Sequence, residues 1–354
     1  MQKEKVKILF IGAGAVCSYL SAFLTRAGHD VTIVDAWAEQ IETIRERGIY
    51  VTGPHDPFEV RPKAVHLTES ARLGSDFDIA FIALKAYDTA WATQLALRHL
   101  SANGFVVSAQ NCWVDPIVAS VAGPARSIGL VMSKIFMTLT KPGFVERGFD
   151  KSQAKSSYVV FRPGEHDGKL TPRVTALAEM LSVIAAAEAT DNLWGERWSK
   201  LSQNAMSNPV QAMTGFGSAQ VLSTEFGRKI SILLAAESAR IGLKLGYRIP
   251  NYGGAAAEKW ANADQPDTYR ELDRQLTPTS EPRLNWRSSM AQDVNKGRRT
   301  EIDFMNGHIV NMGREVGVAT PMSAAIVSVV REIDAKQRIP SPDTMELALR
   351  RAGV

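Results

Sequence analysis

One cation and two amides recur at a helical spacing in the stretch WSKLSQNAMSNP, which runs from Trp198 to Pro209. Lys200, Asn204 and Asn208 are four positions apart, so on one continuous helix they share a face. Asparagine is a mediocre helix former that prefers caps and turns, so two of them beside a lysine are unusual for an ordinary surface. We predict a helix up to the proline, with these three side chains on one candidate binding face.

A second candidate site lies in the segment ILFIGAGAVCSYL, where Gly12 and Gly14 stand between an apolar run and a helical pattern. The segment nearly matches G-x-G-x-x-G, with Cys17 as the small third residue that helix-on-strand packing needs. The first glycine allows a tight turn, and the second lets the backbone approach a pyrophosphate. The helix start at Ala15 and Val16 presents N–H groups to the phosphates. A structural turn could use the same glycines, but the strand–turn–helix context favours dinucleotide binding.

An acidic residue ends the second apolar run, VTIVD, at Asp35, which lies 23 positions after Gly12. A carboxylate at this place accepts hydrogen bonds from the adenosine ribose and repels a 2′-phosphate. No Arg or Lys follows closely, only Ala36 and Trp37. The pattern favours NAD(H), with NADP(H) possible as the alternative cofactor, and Asp35 could equally cap the next helix.

Apolar strands alternate with helical segments through the first half of the chain. We predict strands at residues 6–11, 31–34, 79–84, 105–108, 128–131 and 158–161, with the first helix at 16–27. This alternation indicates a parallel sheet that is covered on both faces.

Long helical patterns dominate the second half. We predict helices at residues 198–213, 225–245, 288–316 and 322–335, and a partly irregular excursion at 249–284. The expected architecture is an α/β Rossmann-type doubly wound domain at residues 1–190, followed by an all-α helical domain at residues 191–354.

Bulk composition indicates a globular protein of ordinary kind. Hydrophobic residues make up 45% of the 354 positions and charged ones 22%, and the net charge is only +4. Because the basic residues are scattered, we expect neither nucleic-acid nor membrane binding. No apolar run is long enough to span a membrane, and the short run at the N-terminus is better interpreted as a strand than as a signal peptide. Two cysteines without metal-ligand spacing predict no metal site and a cytoplasmic location.

Five segments together resemble the ketopantoate (2-dehydropantoate) reductase family. They are IGAGAV at residues 11–16, ALKAYDT at 83–89, AQN at 109–111, SKLSQNAMSNP at 199–209 and SSMAQDVNKGRRTEIDFMNG at 288–307. They span nearly the whole chain in the family's order, and the last is the most specific. The resemblance implies a Rossmann domain, a helical domain for substrate and dimerisation, and a cleft between them.

The resemblance also implies roles for individual residues. Lys200 matches the family's catalytic lysine, and Asn204 and Asn208 match its substrate-binding amides. The other matches are Ser289 and Glu301 in the same cleft, Asn111 beside the nicotinamide and Lys85 on the cofactor side. Reduction of a ketone needs a proton at the developing alkoxide, and a lysine with a lowered pKa can provide it.

Glu301 would either hold Lys200 in position or bind a substrate hydroxyl. The simpler alternatives are a solvated lysine, asparagines that bridge helices, and Glu301 and Asp303 paired with arginines on a solvent face. No histidine competes for the proton, because only His308 lies in a matching segment, and we interpret it as a packing or helix-surface residue.

Two features depart from the family pattern. Asn111 is usually followed by glycine, but Cys112 and Trp113 follow it here. Extra length falls at residues 251–287, whose aromatic residues could form a lid over a larger substrate, or pack on the surface at a dimer interface. These aromatic residues are Tyr252, Trp260, Tyr269 and Trp286. Cys17 and Cys112 flank the expected cofactor loops, where they fill tight space or act as redox-sensitive thiols.

The sequence therefore leads to one main functional hypothesis and two alternatives. The main one is a ketopantoate-reductase-like enzyme that transfers hydride between a nicotinamide cofactor and a small hydroxy or keto acid, as a homodimer, with Lys200 as general acid and base. The first alternative is an NAD-dependent dehydrogenase of a bulkier or aromatic secondary alcohol on the same scaffold. The second is a dinucleotide-binding sensor without turnover.

Overall fold

The computed structural model describes residues 5–148, 158–278 and 287–354. The chain forms two compact units, with the division between Leu193 and Trp194. Each unit has its own secondary structure and its own buried side chains.

The first unit contains eleven described strands and five described α-helices. The strands are β1 (Lys7–Ile11), β2 (Asp30–Asp35), β3 (Ile49–Thr52), β4 (Phe58–Val60), β5 (Lys63–His66), β6 (Phe77–Ile82), β7 (Leu100–Ser108), β8 (Ser127–Met132), β9 (Phe136–Lys141), β10 (Phe144–Gly148) and β11 (Phe161–Gly164). The helices are α1 (Ala15–Arg26), α2 (Ala38–Arg47), α3 (Thr89–His99), α4 (Asp115–Ala122) and α5 (Pro172–Leu181).

Seven strands form the main sheet in the order β11-β8-β7-β6-β1-β2-β5. All neighbours pair in parallel except β11, which runs antiparallel to β8. Strand β1 lies between β2 and β6, so the chain order reverses beside it, and ligands of doubly wound folds bind at this kind of switch point. The predicted Rossmann-type sheet is confirmed. The strand expected at residues 158–161 instead begins at Phe161.

Both faces of this sheet are covered by apolar side chains. Alternate residues of β1 belong to two separate core clusters, Ile8 and Phe10 on one face and Leu9 and Ile11 on the other. A strand that is buried on both faces reads as a continuous apolar run, which is why ILFI was recognisable as one.

A second, four-stranded sheet was not predicted. Its order is β4-β3-β10-β9, and it packs on α1 beside an aromatic group formed by Tyr19, Phe23, His55 and Phe58. Its strands have three to six residues and only partly buried faces, so they give a weak alternation signal.

The second unit is helical throughout the described residues. Its helices are α6 (Leu193–Ala205), α7 (Asn208–Thr214), α8 (Ser218–Ser223), α9 (Glu225–Lys244), α10 (Ala257–Ala261), α11 (Pro266–Leu276), α12 (Ser289–Asn295), α13 (Asn306–Val316), α14 (Pro321–Asp334) and α15 (Thr344–Ala352). The first residue of α6, Leu193, belongs to the first unit.

The predicted single helix at 198–213 is wrong, because the chain breaks between α6 and α7. In a continuous helix the Ala205 carbonyl would accept from the backbone nitrogen of residue 209, but Pro209 has no N–H. The Asn306 side chain takes that place, since its Nδ2 donates to the Ala205 oxygen at 3.1 Å and the residue is fully buried. Asn208 therefore begins a new helix and does not continue the face of Lys200 and Asn204.

The predicted helix at 288–316 is also wrong, because α12 ends before Gly297. That glycine has a φ of +63°, which a continuing helix cannot accommodate. Farther along, the Thr300 hydroxyl donates to the Asp334 carboxylate at 2.7 Å, and a short 3-10 turn at Ile302–Phe304 precedes α13. The helices expected at 225–245 and 322–335 are present as α9 and α14.

The excursion is more ordered than its composition suggests, since α10 and α11 lie within it. Trp260 is fully buried and donates to the Tyr252 carbonyl at 2.9 Å, while the Tyr252 hydroxyl donates to the Ala235 carbonyl of α9 at 3.0 Å. The lid interpretation is therefore wrong for these two aromatic residues, which are part of the core. Tyr269 is half-buried on α11, and Trp286 lies outside the described residues.

Candidate active site

The glycine loop joins β1 to α1 at the switch point of the main sheet. Gly12 has a φ of +110°, and a Cβ placed there would lie 2.9 Å from the Ala83 carbonyl oxygen, so only glycine fits. Gly14 caps α1, and a Cβ built there meets no atom within 4 Å. The open space beside Gly14 leaves room for a ligand group to approach the backbone and the N–H groups of Ala15 and Val16.

The backbone of Ala13 is held at both its N–H and its carbonyl. Its N–H donates to Asp35 Oδ2 at 2.5 Å, and its carbonyl accepts from Nε2 of the buried Gln40 at 3.1 Å. Gln40 Oε1 in turn accepts the Gly143 N–H at 2.8 Å, which links the loop to the turn between β9 and β10. The conformation of the glycine loop is therefore set before any ligand binds.

Asp35 ends β2 and interacts with both neighbouring loops. Besides Ala13, it accepts the Trp37 N–H through Oδ1 at 2.7 Å, just before α2 begins. The carboxylate holds the glycine loop and organises the start of the next helix, so the helix-start alternative from the sequence describes part of its role. Each carboxylate oxygen has a second lone pair that can accept from a hydroxyl.

Cys17 fills the third position of the glycine motif and is completely buried. Burial raises the pKa of its thiol well above the usual value, and the negative charge of Asp35 adds to this. The raised pKa disfavours the thiolate, so the packing interpretation suits Cys17 better than the redox-sensitive one.

The loops after β6 and β7 carry Lys85 and Asn111 at the same sheet edge. Lys85 precedes a short 3-10 turn at Ala86–Asp88, and Asn111 follows β7 by three positions. Both residues are half-buried. Between the two loops lies the buried side chain of Gln110, which sequence analysis did not single out.

Cys112 adopts a left-handed backbone conformation with a φ of +68°, although it carries a side chain that is 2% exposed. This is where the family usually has glycine, the residue that reaches positive φ without strain. A cysteine in this backbone conformation stores about 1–2 kcal/mol of strain, which a glycine would not. Trp113 beside it is half-buried.

In the second unit, α6 carries Lys200 on a well-anchored helix. Trp198 is fully buried, and its Nε1 donates to the Ser238 carbonyl of α9 at 2.9 Å. Helix α9 has Gly242 at the contact, where a Cβ would lie 2.2 Å from that indole nitrogen. The close approach of the two helices therefore fixes the position of Lys200.

The Lys200 ammonium lies in a poorly hydrated setting. Burial, and to a smaller extent the charge of the buried Arg197 on the same helix, lowers the pKa of Lys200 to about 8. An amine with this pKa exists in both protonation states near neutral pH, which suits a group that gives or takes a proton. The lowered pKa of Lys200 favours a chemical role over that of a solvated surface lysine.

The candidate substrate-binding residues Asn204, Asn208 and Ser289 lie on three different helices. Asn204 lies one turn after Lys200 on α6, and Asn208 opens α7; both are 9% exposed. The Ser288 hydroxyl donates to the Asn208 carbonyl at 3.3 Å and caps α12, so it brings the adjacent Ser289 beside α7.

Glu301 is 6% exposed and lies just before the 3-10 turn, held next to the Thr300–Asp334 contact. The solvent-face alternative applies instead to Asp303, which pairs with Arg299 at 3.4 Å and Arg331 at 2.8 Å. His308 packs its ring against Trp198, and burial lowers its pKa to about 4. It is neutral at physiological pH, as its interpretation as a packing residue requires.

The predicted site residues thus fall into two groups. Gly12, Gly14, Ala15, Val16, Asp35, Lys85 and Asn111 lie at the carboxyl edge of the main sheet in the first unit, and Lys200, Asn204, Asn208, Ser289 and Glu301 lie in the second. Sequence analysis missed Gln40 and Gln110, whose side chains hold the loops of the first group, and Arg197, whose charge lowers the pKa of Lys200. Gln110 could have been found because it stands inside the AQN segment.

Two further searches of the described residues give negative results. No group of three or more His, Cys, Asp or Glu side chains there is placed to hold a metal ion. Among the helices of the same residues, none has the length and apolar character that a membrane crossing needs.

Comparison with known proteins gives a consistent family match. The family model for the ketopantoate reductase PanE/ApbA matches residues 8–153, and the model for the C-terminal part of the same family matches residues 192–334. Together the two models cover most of both units.

Several relatives match over almost their whole length. A 2-dehydropantoate 2-reductase from Mesorhizobium japonicum is 28% identical over 93% of this chain and 98% of its own, and one from Archaeoglobus fulgidus is 27% identical over 94% and 99%. A solved D-mandelate dehydrogenase with NADH and anilino(oxo)acetate has a TM-score of 0.76 at 20% identity, covering 94% of this chain and all of that one. A dimeric ketopantoate reductase from Staphylococcus aureus has a TM-score of 0.68 at 16% identity and similar coverage, 94% and 100%.

Proposed function

The chain belongs to the ketopantoate reductase family, and from this premise we propose that it transfers hydride between a nicotinamide dinucleotide and the carbonyl or alcohol carbon of a small hydroxy or keto acid. Lys200 is the general acid and base of this reaction. The proposal is supported by the position of Lys200 on α6, one turn before the buried Asn204, in a setting that lowers the pKa of the lysine to about 8.

The residues of the first unit fit a dinucleotide. The space beside Gly14 is open, the Ala13 peptide is already fixed, and the N-terminus of α1 presents N–H groups and a positive dipole end to a pyrophosphate. Asp35 would accept from the ribose hydroxyls, and Lys85 and Asn111 would lie along the nicotinamide half. When bound, the nicotinamide supplies or accepts the hydride.

We propose NAD(H) as the preferred cofactor, with NADP(H) as the alternative. The Asp35 carboxylate is held at the end of β2 by two backbone N–H groups, so it cannot turn away from an approaching 2′-phosphate without losing both. Glu39 in the first turn of α2 adds a second negative charge to the same segment. Both negative charges would repel the 2′-phosphate of NADP(H).

The helical unit would hold the substrate and manage its proton. The amides of Asn204 and Asn208 can donate to and accept from a carboxylate and a hydroxyl, and Ser289 can donate to a carboxylate. In the reducing direction the Lys200 ammonium gives its proton to the alkoxide oxygen as the hydride reaches the carbon, and in the oxidising direction the neutral amine takes it back. Glu301 would hold Lys200 in position or bind a substrate hydroxyl.

The favoured substrate is 2-dehydropantoate, because the relatives that match almost end to end are named for its reduction. The test is the absorbance of the nicotinamide band with purified protein and 2-dehydropantoate, comparing NADH with NADPH. Rapid oxidation of either reduced cofactor supports the proposal, and the faster cofactor decides the role of Asp35. Binding of NADH without turnover would contradict 2-dehydropantoate as the substrate.

A second candidate is an NAD-dependent dehydrogenase of a bulkier or aromatic alcohol. It is favoured by Cys112 and Trp113, which place two side chains after Asn111 where the family usually has glycine, and D-mandelate dehydrogenase shows the same fold. A panel of aliphatic and aromatic 2-hydroxy acids with NAD tests it. Higher kcat/KM for the aromatic members would select this candidate over the first.

We also propose that the chain acts as a homodimer through its helical unit, as the resemblance implies, and the Staphylococcus aureus relative is dimeric. Sedimentation equilibrium of the purified protein tests this. A single species with the mass of one chain at micromolar concentration would contradict it.

A further inference from the structure

Gln110 is a buried amide at the point where β7 leaves the main sheet. Its side chain is 3% exposed, and it lies between Ala109 and Asn111. The Ala109 N–H donates to the Ile82 carbonyl at 2.9 Å, which continues the β6–β7 pairing to the residue before Gln110. Gln110 therefore starts from a fixed backbone position.

The amide of Gln110 bridges to the loop that follows β6. Its Nε2 lies 2.9 Å from the Leu84 carbonyl, 3.3 Å from the Lys85 carbonyl and 3.0 Å from Thr89 Oγ1. The Thr89 hydroxyl donates to the Ala86 carbonyl at 2.8 Å, so its oxygen accepts from Gln110. The two amide hydrogens of Gln110 are therefore shared among three acceptors, namely the two carbonyls and the Thr89 hydroxyl.

The bridged loop is also in contact with the glycine loop. A Cβ on residue 12 would lie only 2.9 Å from the Ala83 carbonyl oxygen. Gly12 therefore packs directly on the chain that leads to Lys85. Three loops at the carboxyl edge of β1, β6 and β7 therefore form one connected layer, and Gln110 provides a side-chain link between the second and the third.

The loop that carries Asn111 has a second fixed end. The Ser108 hydroxyl donates to the Asp115 carboxylate at the start of α4, and both residues are buried. Between these anchors Cys112 is confined to a left-handed conformation. Only four residues, 111–114, span the gap, so their positions depend on both anchors.

We propose that Gln110 is a positioning residue for the nicotinamide half of the cofactor. It holds the Lys85 and Asn111 loops at a fixed separation, so that both side chains meet the nicotinamide ribose and ring together. The inference rests on the proposed function, in which these two residues lie along that half. It assigns the adenosine and pyrophosphate half to a different support, the contacts of Ala13 with Asp35 and Gln40.

The test compares Gln110→Met with the unmodified protein. Methionine has a similar length but cannot donate to the carbonyls, so the loops lose their link while the buried volume is nearly retained. We expect NADH to bind about tenfold more weakly and kcat to fall by a similar factor. The affinity for ADP, which contains the adenosine and pyrophosphate but no nicotinamide, should stay within about twofold.

Two outcomes would overturn the inference. Equal weakening of NADH and ADP would show that Gln110 merely supports the unit as a whole. Unchanged binding of both, with unchanged kcat, would show that the link has no role in the site. Thr89→Val removes one partner while keeping Gln110, so it should shift NADH binding in the same direction by a smaller factor, and it replaces Gln110→Met if that variant fails to fold.

Thr93→Val is the matched control on the same helix. Thr93 is fully buried, and its hydroxyl donates to the Thr89 carbonyl at 2.7 Å, a bond in which Gln110 takes no part. Loss of the Thr93 hydroxyl should lower the melting temperature without changing the affinity for NADH or for ADP. If the unmodified protein binds ADP and NADH but shows no turnover with any acid tested, the proposed function fails while the binding comparison still decides the role of Gln110.

Discussion

Lys200 is the residue whose chemistry depends most on its surroundings. Its pKa of about 8 arises from burial first and from the Arg197 charge second. Reduction needs the ammonium, so kcat/KM for a keto acid should be constant below about pH 8 and fall above it. Oxidation needs the neutral amine, so kcat/KM for the hydroxy acid should rise through the same pH and level off above it. Initial rates in both directions across pH 6–10 check this.

Two substitutions at this position separate proton transfer from charge. Lys200→Met should lower turnover by about 10²–10⁴-fold in both directions while NADH still binds. Lys200→Arg keeps a positive charge but does not release its proton near neutral pH, so it can neither give the proton in reduction nor take it in oxidation, and kcat/KM should fall in both directions. Persistent turnover in Lys200→Met would show that another group transfers the proton, and would also leave the sensor hypothesis without support.

The strain at Cys112 predicts that glycine is more stable than alanine at this position, the reverse of the usual order. Alanine keeps the Cβ that is strained at a φ of +68°, whereas glycine removes it, so Cys112→Gly should be more stable than Cys112→Ala by about 1 kcal/mol. Urea unfolding of the cofactor-free protein measures the difference.

Cys17 is the matched control, because it is equally buried but lies within α1. There the usual order holds, and alanine should be more stable than glycine by about 1 kcal/mol. The same order at both cysteines would contradict a strained conformation at position 112.

At the scale of elements, the break between α6 and α7 depends on one side chain from another helix. The carbonyl of Ala205 lacks a backbone donor because Pro209 has none, and Asn306 of α13 supplies it. Asn306→Leu would leave that buried carbonyl unsatisfied, so we expect a loss of about 1–3 kcal/mol in the free energy of unfolding. Chemical denaturation measures it.

Asn311 lies on the same helix but is exposed, so Asn311→Leu should change the free energy of unfolding by less than about 0.5 kcal/mol. A similar small change for Asn306→Leu would mean that the carbonyl finds another donor. A fall in kcat under conditions where Asn306→Leu is still folded would show that Asn306 also aligns Asn204 with Asn208.

At the scale of the whole molecule, cofactor choice should be visible in thermal unfolding. A ligand at a hundredfold excess over its Kd stabilises the native state by about 2.7 kcal/mol. At equal concentrations we expect NADH to raise the melting temperature more than NADPH does, because Asp35 and Glu39 disfavour the 2′-phosphate. Differential scanning fluorimetry with each cofactor measures the two shifts.

Asp35→Ser tests the cause of this preference. A serine hydroxyl can still accept from Ala13 but carries no charge, so the difference between NADH and NADPH should shrink. A larger shift with NADPH in the unmodified protein would contradict the preference, and the role of Asp35 would then be confined to its contacts with Ala13 and Trp37.

Local patterns were sufficient for much of the fold. The continuous apolar run of β1, the two glycines and the following helix identify a Rossmann-type unit, because each signal depends on residues close together in sequence. The motif order also sufficed for the family. The side chains proposed for chemistry could be named for the same reason, since their types and spacing are local.

Tertiary structure decided what distant residues do to one another. Pro209 and Gly297 are local signals for the breaks at 206–207 and 296–305, but the contacts that hold these breaks come from Asn306 and Asp334, 101 and 34 positions away, which a periodicity cannot reveal. The small second sheet has strands too short to alternate clearly, and Tyr252 and Trp260 are core residues only because α9 packs against their segment.

The same distinction separates the type of a chemical group from its state. The sequence alone determined that a lysine, two asparagines and a glycine loop are available. Only the folded chain decided that burial lowers the pKa of Lys200, that the Cys17 thiol is buried, and that Gln110 joins two loops. Burial, charge and hydrogen-bond partners are properties of three-dimensional neighbourhoods, and residues far apart in sequence create them.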